Sequence, residues 1–201
     1  METKMWTVDK IVDKEDGYPQ LMDAAQKLKA GELIAFPTET VYGLGANALL
    51  GGSVAAIYEA KGRPSDNPLI VHIGEKEQVH GLVGEIPAVA DKLMEQFWPG
   101  PLTLIFQKKE GVFPDVVTAG LSSVAIRMPD HPVALDLLKK AGCPTAAPSA
   151  NLSGKPSPTT AEHVREDLDG KIAGIVDGGP TGVGLESTVL DVTGSIPQIL
   201  R

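Results

Sequence analysis

The sequence has little cysteine, few aromatic residues and no long apolar run. Its one cysteine, Cys143, excludes an internal disulfide, so we expect a reducing, cytoplasmic compartment. Because Gly142 and Pro144 flank this thiol with no second cysteine or histidine close by, we expect it to pack as a small hydrophobic side chain. No apolar run approaches the length that a bilayer-spanning helix needs, so no membrane association is expected.

Positive charge is also in deficit. The chain has 18 lysines and arginines against 26 aspartates and glutamates, a formal net charge of −8, whereas general electrostatic binding of nucleic acid needs the opposite balance. Its 4 histidines are scattered, and neither a His-Glu-x-x-His pattern nor a paired-cysteine spacing occurs. We therefore expect no metal site built by the protein, although magnesium carried by bound phosphates is compatible with the sequence.

Length and periodicity predict a single α/β domain. A chain of 201 residues suffices for one core, and each half alone would be marginal. Helical periodicity covers 18–30, with Gly31 as a left-handed cap, 53–60, with Ser53 as the N-cap, 87–97, 132–141 and a segment from about Thr160. Short apolar runs predict strands at 33–36, 69–71, 102–106, 124–128, 144–148, 172–176 and 188–192.

The segment 37–48 is polar and rich in glycine, and it directly follows a predicted strand. We expect it to be a loop that contributes to a ligand site, since polar loops at strand ends bind ligands in open α/β sheets. Gly43, Gly45 and Ala48 nearly match the dinucleotide fingerprint, but a proline and three polar residues separate them from the strand. A Rossmann fold is not favoured, and no Walker A sequence occurs.

The stretch 61–72 brings two cations and an amide to the start of a predicted strand. Pro64 and Pro68 fix two φ angles, so Lys61, Arg63 and Asn67 lie on a stiff loop. Such a loop suits a phosphate or a carboxylate, and an equally ordinary interpretation is a solvated basic turn. The stretch by itself leaves both interpretations open.

Arg127 lies in a run of alternating residues, Val124-Ala-Ile-Arg-Met128. As a strand, this run places Arg127 and Ala125 on the face opposite Val124, Ile126 and Met128. Arg127 then either faces a cleft or forms a salt bridge on a half-exposed sheet. Two further strand-end loops, 149–160 and 177–187, are rich in serine, threonine, asparagine and glycine.

Six motifs in a fixed order resemble the YrdC-like threonylcarbamoyl-AMP synthases of bacterial type. They are Phe-Pro-Thr-Glu-Thr-Val-Tyr-Gly-Leu-Gly at 36–45, Lys-Gly-Arg-Pro at 61–64, Asn-Pro-Leu-Ile-Val-His at 67–72, Trp-Pro-Gly-Pro-Leu-Thr at 98–103, Ser-Ala-Asn-Leu-Ser-Gly at 149–154 and Glu-Ser-Thr-Val at 186–189. Each motif alone says little, but together they cover nearly the whole chain. The resemblance implies an α/β fold with a twisted mixed β-sheet, flanked by helices, around a concave cleft.

The resemblance also implies a reaction. The family joins L-threonine, bicarbonate and ATP, with Mg²⁺, into threonylcarbamoyl-adenylate and releases pyrophosphate. The adenylate then passes to tRNA threonylcarbamoyl-transferase proteins, which modify tRNA beside the anticodon. A nucleotidyltransferase of this kind needs no stable nucleic-acid binding of its own.

Carried over position by position, the resemblance implies two neighbouring subsites. Threonine is expected near Thr40, His72, Arg127, Ala147 and Ser187, with Arg127 on its carboxylate. ATP is expected against Arg63, Asn67, Ser123, Ser149, Ser157 and Arg201. Lys61 and Arg63 are the expected catalytic cations at the phosphates, and Thr38 and Asn151 are expected to line the cleft.

Other interpretations remain beside this one. Longer members of the family continue past the position of Arg201 into a linker and a second domain, so we expect residues 1–201 to be one catalytic domain cut from a longer protein. A module that binds double-stranded RNA or tRNA without turnover is the alternative function, and the net charge of −8 counts against it. Hydrogenase-maturation proteins contain a related carbamoyl-adenylate enzyme, but this chain lacks the cysteines of their zinc fingers.

Overall fold

The structure, a computed structural model, describes residues 2–8 and 18–201, and in that part of the chain ten strands form one sheet. The spatial order is β1-β8-β2-β3-β7-β4-β6-β5-β9-β10. The strands are β1 Lys4–Thr7, β2 Ile34–Pro37, β3 Tyr42–Asn47, β4 Ile70–His72, β5 Leu102–Gln107, β6 Ser123–Arg127, β7 Thr145–Ala146, β8 Gly174–Asp177, β9 Thr188–Asp191 and β10 Gln198–Ile199.

The sheet contains both parallel and antiparallel pairs of strands. β8 pairs in parallel with both β1 and β2, and the pairs β4–β6 and β5–β9 are also parallel. The other neighbouring strands pair antiparallel. The predicted mixed α/β class is confirmed, and the antiparallel β3 is inconsistent with a Rossmann fold, whose sheet is mostly parallel.

Seven α-helices accompany the sheet in the described part of the chain. They are α1 Leu21–Lys29, α2 Gly51–Lys61, α3 Val79–Leu82, α4 Ala88–Phe97, α5 Asp115–Thr118, α6 Pro132–Ala141 and α7 Ala161–Leu168. None of the helices found in residues 2–8 and 18–201 is long and apolar enough to cross a membrane.

Some of the helix ends predicted from the sequence are confirmed, and one is wrong. Gly31 has a φ of +100° just beyond α1, as the predicted left-handed cap requires. The prediction for Ser53 is wrong, because α2 already begins at Gly51 and the Ser53 hydroxyl donates to the carbonyl of Gly31 at 2.8 Å. Thr160 is the N-cap of α7, and its hydroxyl accepts from the amide of His163.

The predicted loop at 37–48 contains a strand, so that prediction is wrong for 42–47. All residues of β3 are buried, and Gly43 stands opposite Phe36 on β2. A Cβ atom on Gly45 would lie 2.8 Å from the Phe36 ring and 3.0 Å from the Thr145 methyl group. The glycines therefore allow a strand to pass beneath an aromatic ring, and this contact is not visible in the local sequence.

Two apolar cores cover opposite faces of the sheet. Ala35 and Ile175 belong to the larger core, whereas Ile34 and Phe36 belong to the smaller core beneath α1 and α6. Cys143 is buried in the smaller core, as predicted, and burial raises the pKa of its thiol. Helices α1 and α6 pack on one face of the sheet, over β1, β8, β2 and β3. On the same face, β4, β6, β5 and β9 line a pocket.

Candidate active site

A row of side chains crosses four strands at the pocket, and His72, Arg127 and Val189 of this row line it. His72 on β4 is in register with Arg127 on β6, which is in register with Thr103 on β5. Thr103 is in turn opposite Val189 on β9. Because neighbouring residues in register point to the same face, these four side chains form one line across the sheet.

A second row lies beside the first, and the core lies behind both. Ile70, Ala125 and Ile105 are in register and line the pocket, whose volume is about 400 Å³. The residues between the rows, such as Val71 and Ile126, are fully buried in the larger core. The alternation predicted for 124–128 is therefore confirmed, and Arg127 faces the pocket.

Most of the predicted site residues meet at this pocket. Those that line it are Thr38, Thr40, Arg63, Asn67, His72, Arg127, Ala147, Ser149, Ser187 and Arg201. Lys61 and Asn151 line an adjoining pocket of about 300 Å³, which shares Arg63, Asn67 and Ser149 with the first. Ser123 and Ser157 line neither pocket. Ser123 begins β6 on the face of Ala125, and the Ser157 hydroxyl donates to Glu186 at 3.3 Å.

Arg127 is buried, with 4% of its surface exposed, and three groups hold its guanidinium. Nη2 lies 2.5 Å from Oε1 of Glu39, Nη1 donates to the Thr40 hydroxyl at 3.1 Å, and Nε donates to the Gly100 carbonyl at 3.3 Å. Burial lowers the pKa of Arg127 while Glu39 opposes that change, and an arginine in such a pair stays charged. Both sequence interpretations hold, since Arg127 faces the cleft and also forms a salt bridge.

His72 brings an uncharged ring to the same row. Burial, together with the charge of Arg127, lowers its pKa to about 3, so the imidazole is neutral at physiological pH. Its Nδ1 is buried without a hydrogen-bond partner in the part of the chain that the structure describes. The ring also interacts with the backbone of Ile70, so Nδ1 is the nitrogen whose hydrogen bond remains unmade.

The turn before β3 holds two threonine hydroxyls at the pocket. Thr38 Oγ1 accepts from the amides of Thr40 and Val41, both at 3.2 Å, and lies 2.9 Å from Thr40 Oγ1. Both side chains are almost fully buried. This local side-chain turn is built on the Thr38 hydroxyl, and it fixes the Thr40 hydroxyl that Arg127 contacts.

Lys61 ends α2 with its ammonium group buried against the loop 149–151. Nζ donates to the carbonyl of Ser149 at 2.5 Å and to the carbonyl of Asn151 at 2.6 Å. Burial, followed by the charge of Arg63, lowers the pKa of Lys61 to about 8. This cation therefore holds a pocket wall in place, and its predicted contact with phosphate stays a prediction.

Arg201 reaches the pocket because β10 pairs with β9. The amide of Val189 donates to the Arg201 carbonyl at 3.0 Å, and Arg201 Nε donates to the Ser187 carbonyl at 3.1 Å. The Arg201 guanidinium also forms an ion pair with Glu186, and the Ser187 hydroxyl lies 2.8 Å from that of Thr103. This pairing is the reason that a residue near the end of the sheet contributes to the site.

Sequence reasoning missed Glu39 and Glu186 as site residues. Each is paired with an arginine of the pocket, and each stands inside a quoted motif, directly before Thr40 or Ser187. The sequence did contain a signal for these two residues, because each motif places an acidic residue beside a predicted site residue. The arginine partner of each lies further along the chain, so the pairing itself requires the fold.

The lining does not fit a magnesium site built by the protein. Among residues 2–8 and 18–201, no group of three or more histidine, cysteine, aspartate or glutamate side chains is placed to hold a metal ion. Glu186, which lines the pocket, and Glu39, the partner of Arg127, are already paired with arginines. Cations outnumber carboxylates here, which favours an anionic ligand.

Comparison with known proteins gives the family. The family model described as "Telomere recombination", which groups Sua5, YciO and YrdC proteins, matches residues 26–201. This chain belongs to that family. Over 201 residues it is 61% identical to the threonylcarbamoyl-AMP synthase of Bacillus subtilis strain 168, covering 100% of this chain and 58% of that one.

Solved structures of family members have the same fold. The crystal structure of Pyrococcus abyssi Sua5 complexed with L-threonine matches with a TM-score of 0.93 and 53% identity, over 99% of this chain and 57% of that one. E. coli YciO matches with a TM-score of 0.86 over 99% of this chain and 95% of its own, but at 21% identity it speaks for the fold alone. The chain thus spans little more than half of the B. subtilis and P. abyssi proteins.

Proposed function

We propose that this chain is the catalytic domain of a threonylcarbamoyl-AMP synthase. The reaction joins L-threonine, bicarbonate and ATP into threonylcarbamoyl-adenylate and pyrophosphate. The observation that carries the proposal is the row of His72, Arg127 and Thr103, which places a buried arginine and a neutral imidazole beside a basic second pocket. The threonine complex of the 53% identical P. abyssi protein supports the same substrate here.

In the proposal, threonine lies over the first row. Arg127 binds its carboxylate through guanidinium N–H groups that the protein does not use, which suits planar recognition. His72 and Thr40 are within the same lining and offer polar groups to the substrate hydroxyl, while Ala147 and Ser187 close the sides. The small volume, about 400 Å³, suits an amino acid together with part of a nucleotide.

ATP lies toward the adjoining pocket in this proposal. Arg63, Asn67 and Ser149 belong to both pockets, so they are placed to contact a ligand that extends from one to the other. Lys61 lines only the adjoining pocket and Arg201 lines only the first. Ser123 lies on the face of the pocket residue Ala125, and Ser157 contacts the pocket residue Glu186. Magnesium enters with the ATP phosphates as part of the substrate.

The catalytic contribution of these residues is mainly electrostatic. Carboxylated threonine and a triphosphate are both anions, so their approach is opposed by charge repulsion. Lys61 and Arg63 at the phosphates, with Arg127 at the carboxylate, offset that repulsion in a partly desolvated pocket. Holding three reactants together supplies a further part of the rate, and no protein nucleophile is needed.

The wider role follows the family. Residues 1–201 act as one catalytic domain, and the adenylate passes to tRNA threonylcarbamoyl-transferase proteins that consume it. We propose no stable binding of nucleic acid, because the chain has a net charge of −8.

The deciding experiment measures pyrophosphate release by the purified chain with ATP, magnesium and bicarbonate. L-Threonine is compared with L-alanine and with no amino acid. We expect release that requires both threonine and bicarbonate. If calorimetry detects neither threonine nor ATP binding, the proposal is wrong, and RNA binding becomes the next measurement.

A further inference from the structure

Glu39 is the ion-pair partner of the pocket residue Arg127, and one of its carboxylate oxygens is not used by the protein. Oε1 lies 2.5 Å from Arg127 Nη2, while Oε2 is buried without a hydrogen-bond partner in the part of the chain that the structure describes. The Glu39 side chain is 15% exposed, so the pair stands at the pocket edge and not in the core. A buried oxygen without a donor is costly, and a ligand that brings a donor removes this cost.

The surroundings of Glu39 fix its position. Its neighbour Thr40 accepts from Arg127 Nη1 at 3.1 Å, and its own carbonyl accepts from the amide of Val183 at 2.9 Å. The turn and the loop 178–187 therefore hold the carboxylate next to the guanidinium. The terminal torsion of a glutamate is soft, so the carboxylate can rotate as a unit to bring Oε2 toward the pocket, and the contact of Oε1 with Arg127 then lengthens or passes to Oε2.

Arg127 also keeps unused donors. A guanidinium has five N–H groups, and contacts with Glu39, Thr40 and Gly100 use three, which leaves two. The Arg127–Glu39 pair thus offers a free positive group and a free negative oxygen side by side. An α-amino acid carries the opposite pair, a carboxylate and an ammonium group on one carbon atom.

We propose that Glu39 binds the α-amino group of the substrate amino acid through Oε2, next to the carboxylate on Arg127. This inference rests on the proposed function, because it takes the pocket to bind an amino acid. The pair then selects α-amino acids over the corresponding hydroxy acids. It also fixes the nitrogen that is to receive the carboxyl group.

The test compares L-threonine with the hydroxy acid in which a hydroxyl replaces the amino group. Calorimetry measures both ligands on the wild-type chain and on Glu39→Gln, which keeps the shape and an acceptor for Arg127 but loses the charge. Because a hydrogen bond between charged groups is lost, we expect E39Q to weaken threonine binding by roughly tenfold or more and the analogue by less than about threefold.

Other outcomes separate the alternatives. If E39Q weakened the binding of both ligands equally, Glu39 would only position Arg127. If E39Q left threonine binding unchanged, Glu39 would have no role in binding the substrate. Either result overturns the proposal. A wild-type chain that binds no threonine overturns the proposed function itself. Melting temperatures report whether E39Q folds, and if it does not, Glu39→Asp decides, because a retained charge should preserve the preference for threonine over the analogue.

Discussion

At the scale of single residues, two of the pocket's arginines and the lysine of the adjoining pocket already have partners within the protein. Glu39 pairs with Arg127, Glu186 pairs with Arg201, and backbone carbonyls surround the Lys61 ammonium. Buried cations with such partners keep their charge without a ligand. An incoming anion therefore adds to or replaces contacts that already exist.

Replacing Arg127 by lysine should show how much of threonine binding depends on the planar guanidinium and how much on the positive charge alone. R127K keeps a cation for Glu39 but loses the planar fork, so we expect the KM for threonine to rise about tenfold or more, with ATP affinity little changed. Steady-state pyrophosphate release, with each substrate varied in turn, measures both constants.

Arg165→Lys is the matched control, since Arg165 is exposed on α7 and outside the pocket. It should leave both KM values as they are. If R127K instead lowered the apparent affinity for ATP and left threonine unaffected, Arg127 would not belong to the threonine subsite.

Lys61 should give the reaction an alkaline limit. Its pKa is lowered to about 8, so the ammonium loses its proton as the pH rises through that value. If the charge acts on the phosphates, kcat/KM for ATP falls from about pH 8 upward, because this constant follows the pKa values of the free enzyme. Stability should change the other way, because the unfolded chain, with an ordinary lysine pKa of about 10.4, binds more protons between these two values. Measurements of kcat/KM for ATP and of chemical denaturation at a series of pH values give the two trends.

Lys61→Arg is the control for this limit, because a guanidinium stays charged throughout the range. We expect a lower kcat/KM for ATP overall but no loss between pH 8 and 10. An alkaline loss that persists unchanged in K61R would assign the limit to another group.

At the scale of elements, β3 needs a glycine at position 45, where it passes the Phe36 ring. A Cβ atom on Gly45 meets the Phe36 ring at 2.8 Å, so Gly45→Ala should lower the free energy of unfolding by about 1–3 kcal/mol. Thermal or chemical denaturation measures the change.

Gly52→Ala provides the comparison, since a Cβ atom there meets nothing within 4 Å. This residue lies in α2, where alanine is the better helix former by roughly 0.5–1 kcal/mol. We expect G52A to be neutral or stabilising. Equal destabilisation by both variants would show that the contact with Phe36 is not what constrains β3.

The elements also show what sequence could and could not predict. The helix at 132–141 was predicted with its bounds, because its apolar period is regular and Gly142 ends it with a φ of +64°. The short edge strands β1 and β10 were missed, since a few residues of mixed polarity carry no period. Arg127 was placed on the correct face by alternation alone, whereas its pairing with Glu39 required strands that are distant in sequence.

At the scale of the whole molecule, the net charge determines how tightly the chain is expected to bind RNA. With a net charge of −8, the chain should bind unmodified tRNA no tighter than about 1 µM at physiological salt, the range of non-specific contacts. Filter binding over a series of salt concentrations measures this affinity. Tight binding that weakens steeply with salt would instead support the RNA-binding alternative.

The row of side chains across four strands also bears on the order of events during folding. Its members come from β4, β6, β5 and β9, and two of the three junctions between those strands are parallel pairs that enclose other elements. Closing such long loops costs chain entropy before any contact is gained, so these junctions form slowly compared with local helices. During refolding, ligand binding should therefore return after the helical signal, and no short fragment of the chain should bind threonine.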